Sequence, residues 1–219
     1  MARPVLYVLA GVNGAGKSSI GGRLLTQAGL AWFNPDTFAR DLKARMDCSQ
    51  ADANAAAWHE GVRRLDHAIL TGRSFAFETT LGGNTITAKI KSATRSHDVM
   101  IWFCGLASAG QHIVRVKSRV AMGGHDIPEA KIRERCTTSI ANLIGLMPNL
   151  AHLRAYDNSN TVAPGNAVPD PLLVLEMAHG KLLWPTTPQD LRRTPDWAKP
   201  LLEAAITASK RFVLNNNQQ

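Results

Sequence analysis

Apolar and polar positions along the chain alternate between the two-residue period of strands and the 3.6-residue period of helices. Strands are predicted over five segments, residues 5–10, 31–33, 74–77, 99–106 and 153–156. Helices are predicted between them, over about residues 17–27, 53–70, 85–94, 109–122 and 128–144. This alternation indicates βαβ units, and therefore an α/β fold in which helices cover both faces of a mostly parallel sheet. The long helix, which contains Trp58, His59 and Leu65, is expected to pack against that sheet.

The C-terminal part of the chain has a different pattern. A segment rich in Gly, Pro and Asn, residues 161–169, predicts a loop. Two strand-like runs, residues 172–177 and 181–184, flank His179 and Gly180 and predict a hairpin, and a helix follows over residues 197–212. There is no internal repeat and no long linker. We therefore expect one domain over residues 1–219, with a core at about 1–160 and a C-terminal hairpin and helix at about 170–213.

Residues 11–18, with the sequence GVNGAGKS, match the phosphate-binding loop (P-loop) pattern between a predicted strand and a predicted helix. Glycines let the backbone approach phosphates closely, so that successive N–H groups and the positive end of the helix attract them. Lys17 is expected to contact the β and γ phosphates of ATP, and the Ser18 hydroxyl is expected to bind Mg²⁺. The predicted nucleotide-binding residues are Gly11, Asn13, Gly14, Ala15, Gly16, Lys17, Ser18 and Ser19.

Two carboxylates follow predicted strands, where side chains surround the ligand crevice of a parallel sheet. Asp36 could accept the proton of an attacking hydroxyl, or it could simply cap the helix that begins near Thr37. Glu78 could bind the hydroxyl acceptor, or reach the magnesium ion through water. No acid ends the strand at residues 99–106, which favours a small-molecule kinase over a motor ATPase.

Four arginines are candidates for neutralising the transferred phosphate. Arg115 and Arg119 are four residues apart and share one helix face. Arg133 and Arg135 follow a turn at residues 123–125, but two residues apart on a helix they point in different directions. Together these residues predict a helical, arginine-rich lid that closes over the phosphates.

Composition narrows the function classes. The net charge of +8 is compatible with a nucleic-acid partner or with a pocket for polyphosphates. The basic residues cluster beside the glycine turn, and no basic run is interleaved with aromatics, so we favour the phosphate pocket and expect no nucleic-acid partner. Three scattered cysteines and apolar runs too short for a bilayer predict a cytoplasmic protein without a membrane partner.

Taken in order, these segments resemble the zeta-toxin family of P-loop kinases. The resemblance rests on residues 11–19, 33–36, 75–80, 119–128, 132–135, 142–143 and 156–159. It implies a P-loop NTPase three-layer fold, with Asp36 as the catalytic base and Lys17 at the phosphates. It also implies Glu78 and Thr80 on the acceptor side, Arg119 with Arg133 or Arg135 clamping the phosphates, and Asn158 in a loop near the nucleotide base.

The function implied by the resemblance is transfer of the γ phosphate of ATP, with Mg²⁺, to a hydroxyl of a small molecule. Zeta toxins phosphorylate a UDP-activated amino sugar, so UDP-N-acetylglucosamine is the first candidate acceptor, and an antitoxin protein is a candidate partner. This chain is shorter than those toxins, and residues 160–219 lie outside the resemblance. A nucleotide-dependent ATPase switch and a polynucleotide kinase remain as alternatives.

Overall fold

The computed structural model describes residues 2–27, 30–160 and 169–216. Its strands are β1 (Val5–Ala10), β2 (Phe75–Thr79), β3 (Asp98–Gly105), β4 (His152–Asp157), β5 (Leu172–Ala178) and β6 (Lys181–Trp184). Its helices are α1 (Lys17–Gln27), α2 (Pro35–Arg45), α3 (Gln50–Thr71), α4 (Asn84–Ala93), α5 (Ala109–Ala121), α6 (Glu129–Leu146), α7 (Pro188–Arg192) and α8 (Lys199–Asn216). The predicted loop at residues 161–169 lies outside the described residues except for Pro169.

The strands form one sheet in the order β2-β1-β3-β4-β5-β6. The first four run parallel to one another, and β5 and β6 add an antiparallel hairpin at one edge. The hairpin turns at His179 and Gly180, which both have positive φ angles (46° and 76°). The mostly parallel α/β sheet and the C-terminal hairpin predicted from the sequence are therefore confirmed.

The segment at residues 31–33 was predicted as a strand, but the structure contains only a single parallel bridge there, between Phe33 and Phe77. Phe33 N donates to Ala76 O (2.8 Å), and Phe33 O accepts from Glu78 N (2.9 Å). The pairing stops because Asn34 and Pro35 begin α2 immediately afterwards, and proline has no N–H to donate to a ladder. The short bridge still fixes the start of α2 beside the end of β2.

Helices pack on both faces of the sheet, because alternate residues of β1 point to opposite sides. Leu6 and Val8 join Leu65 of α3 in the large core, which also receives apolar residues of α4, α6 and α8. Leu9 lies on the other face, in a smaller cluster with Leu25 of α1. The three-layer arrangement predicted from the sequence is confirmed. Among the described residues, no helix is both long and apolar enough to cross a membrane.

The carboxyl ends of the parallel strands lie along one edge of the sheet, and the candidate residues meet there. The P-loop, residues 11–18, follows β1, and the first turn of α1 contains Lys17, Ser18 and Ser19. Glu78 lies at the end of β2, beside β1. Helices α5 and α6 follow β3 and bring the arginines to the same edge.

Candidate active site

The P-loop backbone has the conformation that its glycines make accessible. Gly11, Gly14 and Gly16 have φ angles of 135°, 81° and 86°, which side-chain-bearing residues rarely adopt. A Cβ on Gly11 would lie 2.2 Å from the carbonyl oxygen of Cys104, and one on Gly16 would lie 2.5 Å from Asn158 Nδ2. These glycines therefore allow the loop to curl between neighbouring strands.

Lys17 and Ser18 meet Glu78 in a nearly buried cluster. Lys17 Nζ lies 3.5 Å from Glu78 Oε1 and donates to Val12 O (3.3 Å). Ser18 Oγ donates to Glu78 Oε2 (2.8 Å), and Asn34 Nδ2 donates to the same oxygen (3.0 Å). Only 8% of Glu78 and 7% of Lys17 is exposed, so their opposite charges compensate each other away from water. Glu78 thus lies beside the P-loop hydroxyl that is predicted to bind Mg²⁺.

Asp36 does not cap α2. The N-cap is Asn34, whose Oδ1 accepts from Asp36 N (2.9 Å) and Thr37 N (3.2 Å), and Pro35 occupies the first turn. The carboxylate of Asp36 is therefore free of the helix end and lines the large cavity described below. The sequence left two roles open for Asp36, capping the helix and accepting a proton from the attacking hydroxyl. The structure leaves Asp36 available for the second role.

The carboxylate of Asp36 faces Arg119 of α5. Arg119 Nη1 lies 3.3 Å from Asp36 Oδ2, and His125 Nε2 lies 4.0 Å from Asp36 Oδ1. Arg119 Nε and Nη2 are buried and have no hydrogen-bond partner among the described residues. Buried donors without partners are costly, and a guanidinium matches the oxygens of a phosphate. Arg119 is therefore suited to receive an anion in this cavity.

Arg135 and Arg133 occupy different environments on α6. Arg135 lines the cavity and donates through Nη1 to Asn13 Oδ1 of the P-loop (2.7 Å). Arg133 is exposed and does not line the cavity. Thr80 also lines the cavity, with its Oγ1 accepting from Gly82 N (3.4 Å). The structure therefore brings Arg135 to the phosphate loop and leaves Arg133 on the outer side of the helix.

Arg115 and Asn158 hold the loop after β4 against the P-loop. Arg115 Nη2 donates to the carbonyl oxygens of Asn158 (2.8 Å) and Asn160 (3.1 Å). Asn158 Nδ2 donates in turn to Ala15 O (2.9 Å). The side chain of Asn158 contacts the P-loop backbone, which places the segment predicted to lie near the nucleotide base next to the phosphate-binding residues.

His112 supports the P-loop from the side of α5. Its Nδ1 lies 2.8 Å from Asn13 O, and since a carbonyl only accepts, this nitrogen carries the proton. Only 3% of His112 is exposed. Burial lowers the pKa of His112 to about 4, so the ring is neutral at neutral pH. A neutral donor here fixes the carbonyl of Asn13 without adding charge to the phosphate site.

Asn34 and Trp58 are among the lining residues that the sequence did not reveal. Asn34 stands before a proline and three residues before a predicted helix, a cap signal that was available in the sequence. Trp58 was expected to pack on the sheet with Leu65, but only Leu65 is buried there, whereas Trp58 is 45% exposed and lines the cavity. Periodicity places both residues on one helix, but it does not show where the sheet ends and a cavity begins.

These residues enclose a cavity of about 670 Å³, a size typical of small-molecule sites. The P-loop curl, the unpartnered donors of Arg119 and the basic lining fit a nucleoside triphosphate. The Ser18 hydroxyl and the Glu78 carboxylate, 2.8 Å apart, fit Mg²⁺, which takes one or two carboxylate ligands together with phosphate oxygens. Among the described residues, no group of three His, Cys, Asp or Glu side chains could hold a metal ion by itself.

Comparison of sequences gives limited similarity to known proteins. No protein-family model matches the chain. An uncharacterized protein of Haemophilus influenzae is 27% identical over 149 residues, which are 62% of this chain and 99% of that protein.

Comparison of structures identifies proteins with the same fold. The AvrRxo1-ORF1:ORF2 complex with ATP has a TM-score of 0.64 at 15% identity, over 89% of this chain and 64% of that one. A structure from the PezAT chromosomal toxin–antitoxin system of Streptococcus pneumoniae has a TM-score of 0.51 at 12% identity, over 93% of this chain and 88% of that one. The chain therefore has the same fold as these proteins, and its predicted resemblance to zeta toxins is confirmed at the level of the fold.

Proposed function

We propose that the protein is an ATP-dependent phosphotransferase of the zeta-toxin type, built as one P-loop kinase domain, which phosphorylates a hydroxyl of a small molecule. The observation that carries the proposal is the position of Asp36. Its carboxylate is not used as a helix cap, lines the cavity that also contains Lys17, and lies 3.3 Å from an arginine with unpartnered donors. A carboxylate in this position can accept the proton of an attacking hydroxyl.

Bound MgATP would supply the phosphoryl group to be transferred and the metal charge that neutralises it. Ser18 and Glu78 are the residues that would hold the magnesium ion. Lys17, Arg119 and Arg135 would bind phosphate oxygens and stabilise the negative charge that develops on them. Asp36 would orient the acceptor hydroxyl and take its proton onto a carboxylate oxygen as the new O–P bond forms and the bond between the γ phosphorus and the β–γ bridging oxygen of ATP breaks, with ADP as the leaving group. Arg133, which is exposed, has no role in this scheme.

The identity of the acceptor and the partner is proposed from the resemblance. UDP-N-acetylglucosamine is the first candidate acceptor, with Thr80 on its side of the site, while Glu78 is assigned here to the magnesium ion instead of the acceptor. The PezAT structure belongs to a toxin–antitoxin system, and the AvrRxo1 structure contains a second chain, ORF2. We therefore include in the proposal an antitoxin protein that binds this chain.

The test is a mass-spectrometric transfer assay with purified protein and MgATP. The acceptors are UDP-sugars, nucleosides and oligonucleotides, and the variant is Asp36→Asn. We expect one acceptor of the small-molecule panel to gain a phosphate, and the variant to lose about a hundredfold to ten-thousandfold in transfer rate. ATP affinity, measured by calorimetry, should change little, because Asp36 is not in the P-loop.

Asp41→Asn is the matched control, since Asp41 lies on the same helix, is half-exposed and does not line the cavity. It should transfer phosphate at the wild-type rate. If no acceptor gains phosphate and ATP hydrolysis is the same in Asp36→Asn, the kinase proposal is wrong and the ATPase switch is favoured. Transfer to oligonucleotide ends alone, with steep salt dependence, would instead favour the polynucleotide kinase.

A further inference from the structure

The cavity has a basic side and an uncharged side. Its basic lining residues come from the P-loop, α5 and α6, and they are Lys17, Arg115, Arg119, Lys131 and Arg135. Helix α3 contributes Asn54, Ala57, Trp58 and Gly61 among the described residues, and none of these is charged. Their spacing places them on one face of the helix. Polyphosphate therefore fits the basic side, and the α3 face is left for a different part of the reactants.

Trp58 dominates the α3 face. It is a large hydrophobic side chain that stays 45% exposed, although a tryptophan gains much free energy from burial. The imidazole of His59 meets the indole at 77° with ring centroids 4.9 Å apart. An exposed aromatic plane inside a small-molecule cavity is suited to stack against a flat or puckered ring.

The wall that carries Trp58 is held in place by close packing. A Cβ on Gly61 would lie 2.9 Å from Phe33 Cε1, so α3 approaches the Phe33 ring where a larger residue would not fit. The guanidinium of Arg64 stacks over the same ring at 4.8 Å and forms an ion pair with Glu60 (2.7 Å). The charge of Arg64 is therefore engaged by Phe33 and Glu60, Arg64 itself does not line the cavity, and the platform is formed before any ligand arrives.

Hydrogen-bond donors line the same cavity as this platform. Asn54, one turn before Trp58, uses its Oδ1 to accept from Gln50 Nε2 (3.0 Å), while its Nδ2 donates to no partner among the described residues. The Oγ1 atoms of Thr79 and Thr80 accept from Leu81 N and Gly82 N, which leaves each hydroxyl hydrogen free to donate. Donors without cations suit neutral oxygen acceptors, such as hydroxyl and amide oxygens, better than a phosphate.

We propose that Trp58 is a specificity-determining platform on which an uncharged, hydroxyl-bearing ring of the acceptor stacks, the chemistry of a monosaccharide or a nucleoside. Asn54 donates a hydrogen bond to an oxygen of that ring. This inference rests on the proposed function, because it assigns the acceptor to the α3 side and the nucleotide to the basic side. It adds to that function the residue, Trp58, that selects the ring of the acceptor.

The test measures binding, so it does not depend on transfer. The phosphate side is first filled with Mg²⁺ and a non-hydrolysable ATP analogue. Calorimetry then follows the binding of four probes: uridine, N-acetylglucosamine, UDP-N-acetylglucosamine and inorganic pyrophosphate. We expect at least one ring-containing probe to bind, and Trp58→Ala to raise its Kd by roughly 5- to 150-fold, the range of aromatic stacking. Trp58→Phe should retain most of the affinity.

Leu70→Ala is the matched control, since Leu70 lies on the same helix, is 86% exposed and does not line the cavity. It should bind every probe like the wild type, and the ATP analogue should bind all variants equally. The inference is overturned if no ring-containing probe binds, if Trp58→Ala leaves each Kd within twofold, or if only pyrophosphate binds. Trp58-dependent binding without any phosphate transfer would refute the kinase and leave the platform standing.

Discussion

Alanine substitution of Arg135, compared with the same substitution of Arg133, tests how α6 takes part in the site. Both arginines lie within one turn of the same helix. Arg135 Nη1 donates to Asn13 Oδ1 at 2.7 Å, and burial lowers the pKa of Arg135, although a guanidinium remains charged in proteins. Arg133 is exposed and does not line the cavity. The two variants remove the same charge from two different environments.

The structure sets the expected size of the two effects. A hydrogen bond from a charged donor contributes about 1.5–3 kcal/mol. Loss of the contact with Asn13 alone should therefore lower the equilibrium constant for the correctly positioned P-loop by roughly 10- to 150-fold. If Arg135 also stabilises the transferring phosphate, Arg135→Ala should lose on the order of a thousandfold in rate or more. Arg133→Ala should stay within about twofold, as surface substitutions usually do.

The assay is steady-state phosphate transfer with MgATP, together with ATP affinity by calorimetry and thermal unfolding of each variant. Arg135→Lys separates charge from geometry, because lysine keeps the charge but lacks the planar donors of the guanidinium. We expect its rate to fall between those of the wild type and Arg135→Ala. The reasoning is refuted if Arg133→Ala loses as much activity as Arg135→Ala, or if Arg135→Ala keeps its rate within a few-fold.

Two further predictions concern stability and nucleotide binding. The unfolded chain protonates His112 near its ordinary pKa of 6.5 but the folded chain only near 4, so lowering the pH between these values favours unfolding, by up to about 3 kcal/mol. His112→Asn retains a donor for the Asn13 carbonyl but has no group that titrates between pH 6.5 and 4. In urea unfolding, the variant should therefore lose less stability over this pH range than the wild type. An equal loss in both proteins would contradict the lowered pKa of His112. Gly16→Ala should abolish ATP binding in calorimetry, because the new methyl group meets Asn158 and the φ angle is 86°. Gly145→Ala, exposed in α6 with no heavy atom within 4 Å of the added Cβ, should instead raise the free energy of unfolding by about 1 kcal/mol and leave ATP binding unchanged.

The sequence by itself determined the features that depend on short-range pattern. The P-loop could be recognised because the glycines that shape its backbone, Gly11, Gly14 and Gly16, and the phosphate-binding Lys17 lie in one continuous segment. The parallel sheet was predicted from the alternation of strand-like and helix-like segments along the chain. The hairpin was predicted from His179 and Gly180 between two apolar runs. The predicted strand at residues 31–33 was wrong because three apolar residues are too few to show whether a ladder continues, and here Asn34 and Pro35 end it.

Only the tertiary structure decided which side chains face the cavity. Arg133 and Arg135 are equivalent in the sequence, and the rotation of α6 against the P-loop places Arg135 on Asn13. The structure frees Asp36 from the cap role, because Asn34 accepts from the N–H groups of Asp36 and Thr37. Trp58 fits the same helical pattern as buried Leu65. The physical reason is common to all three cases: periodicity fixes the relative directions of residues within one element, whereas the element's orientation is set by packing against residues distant in the chain.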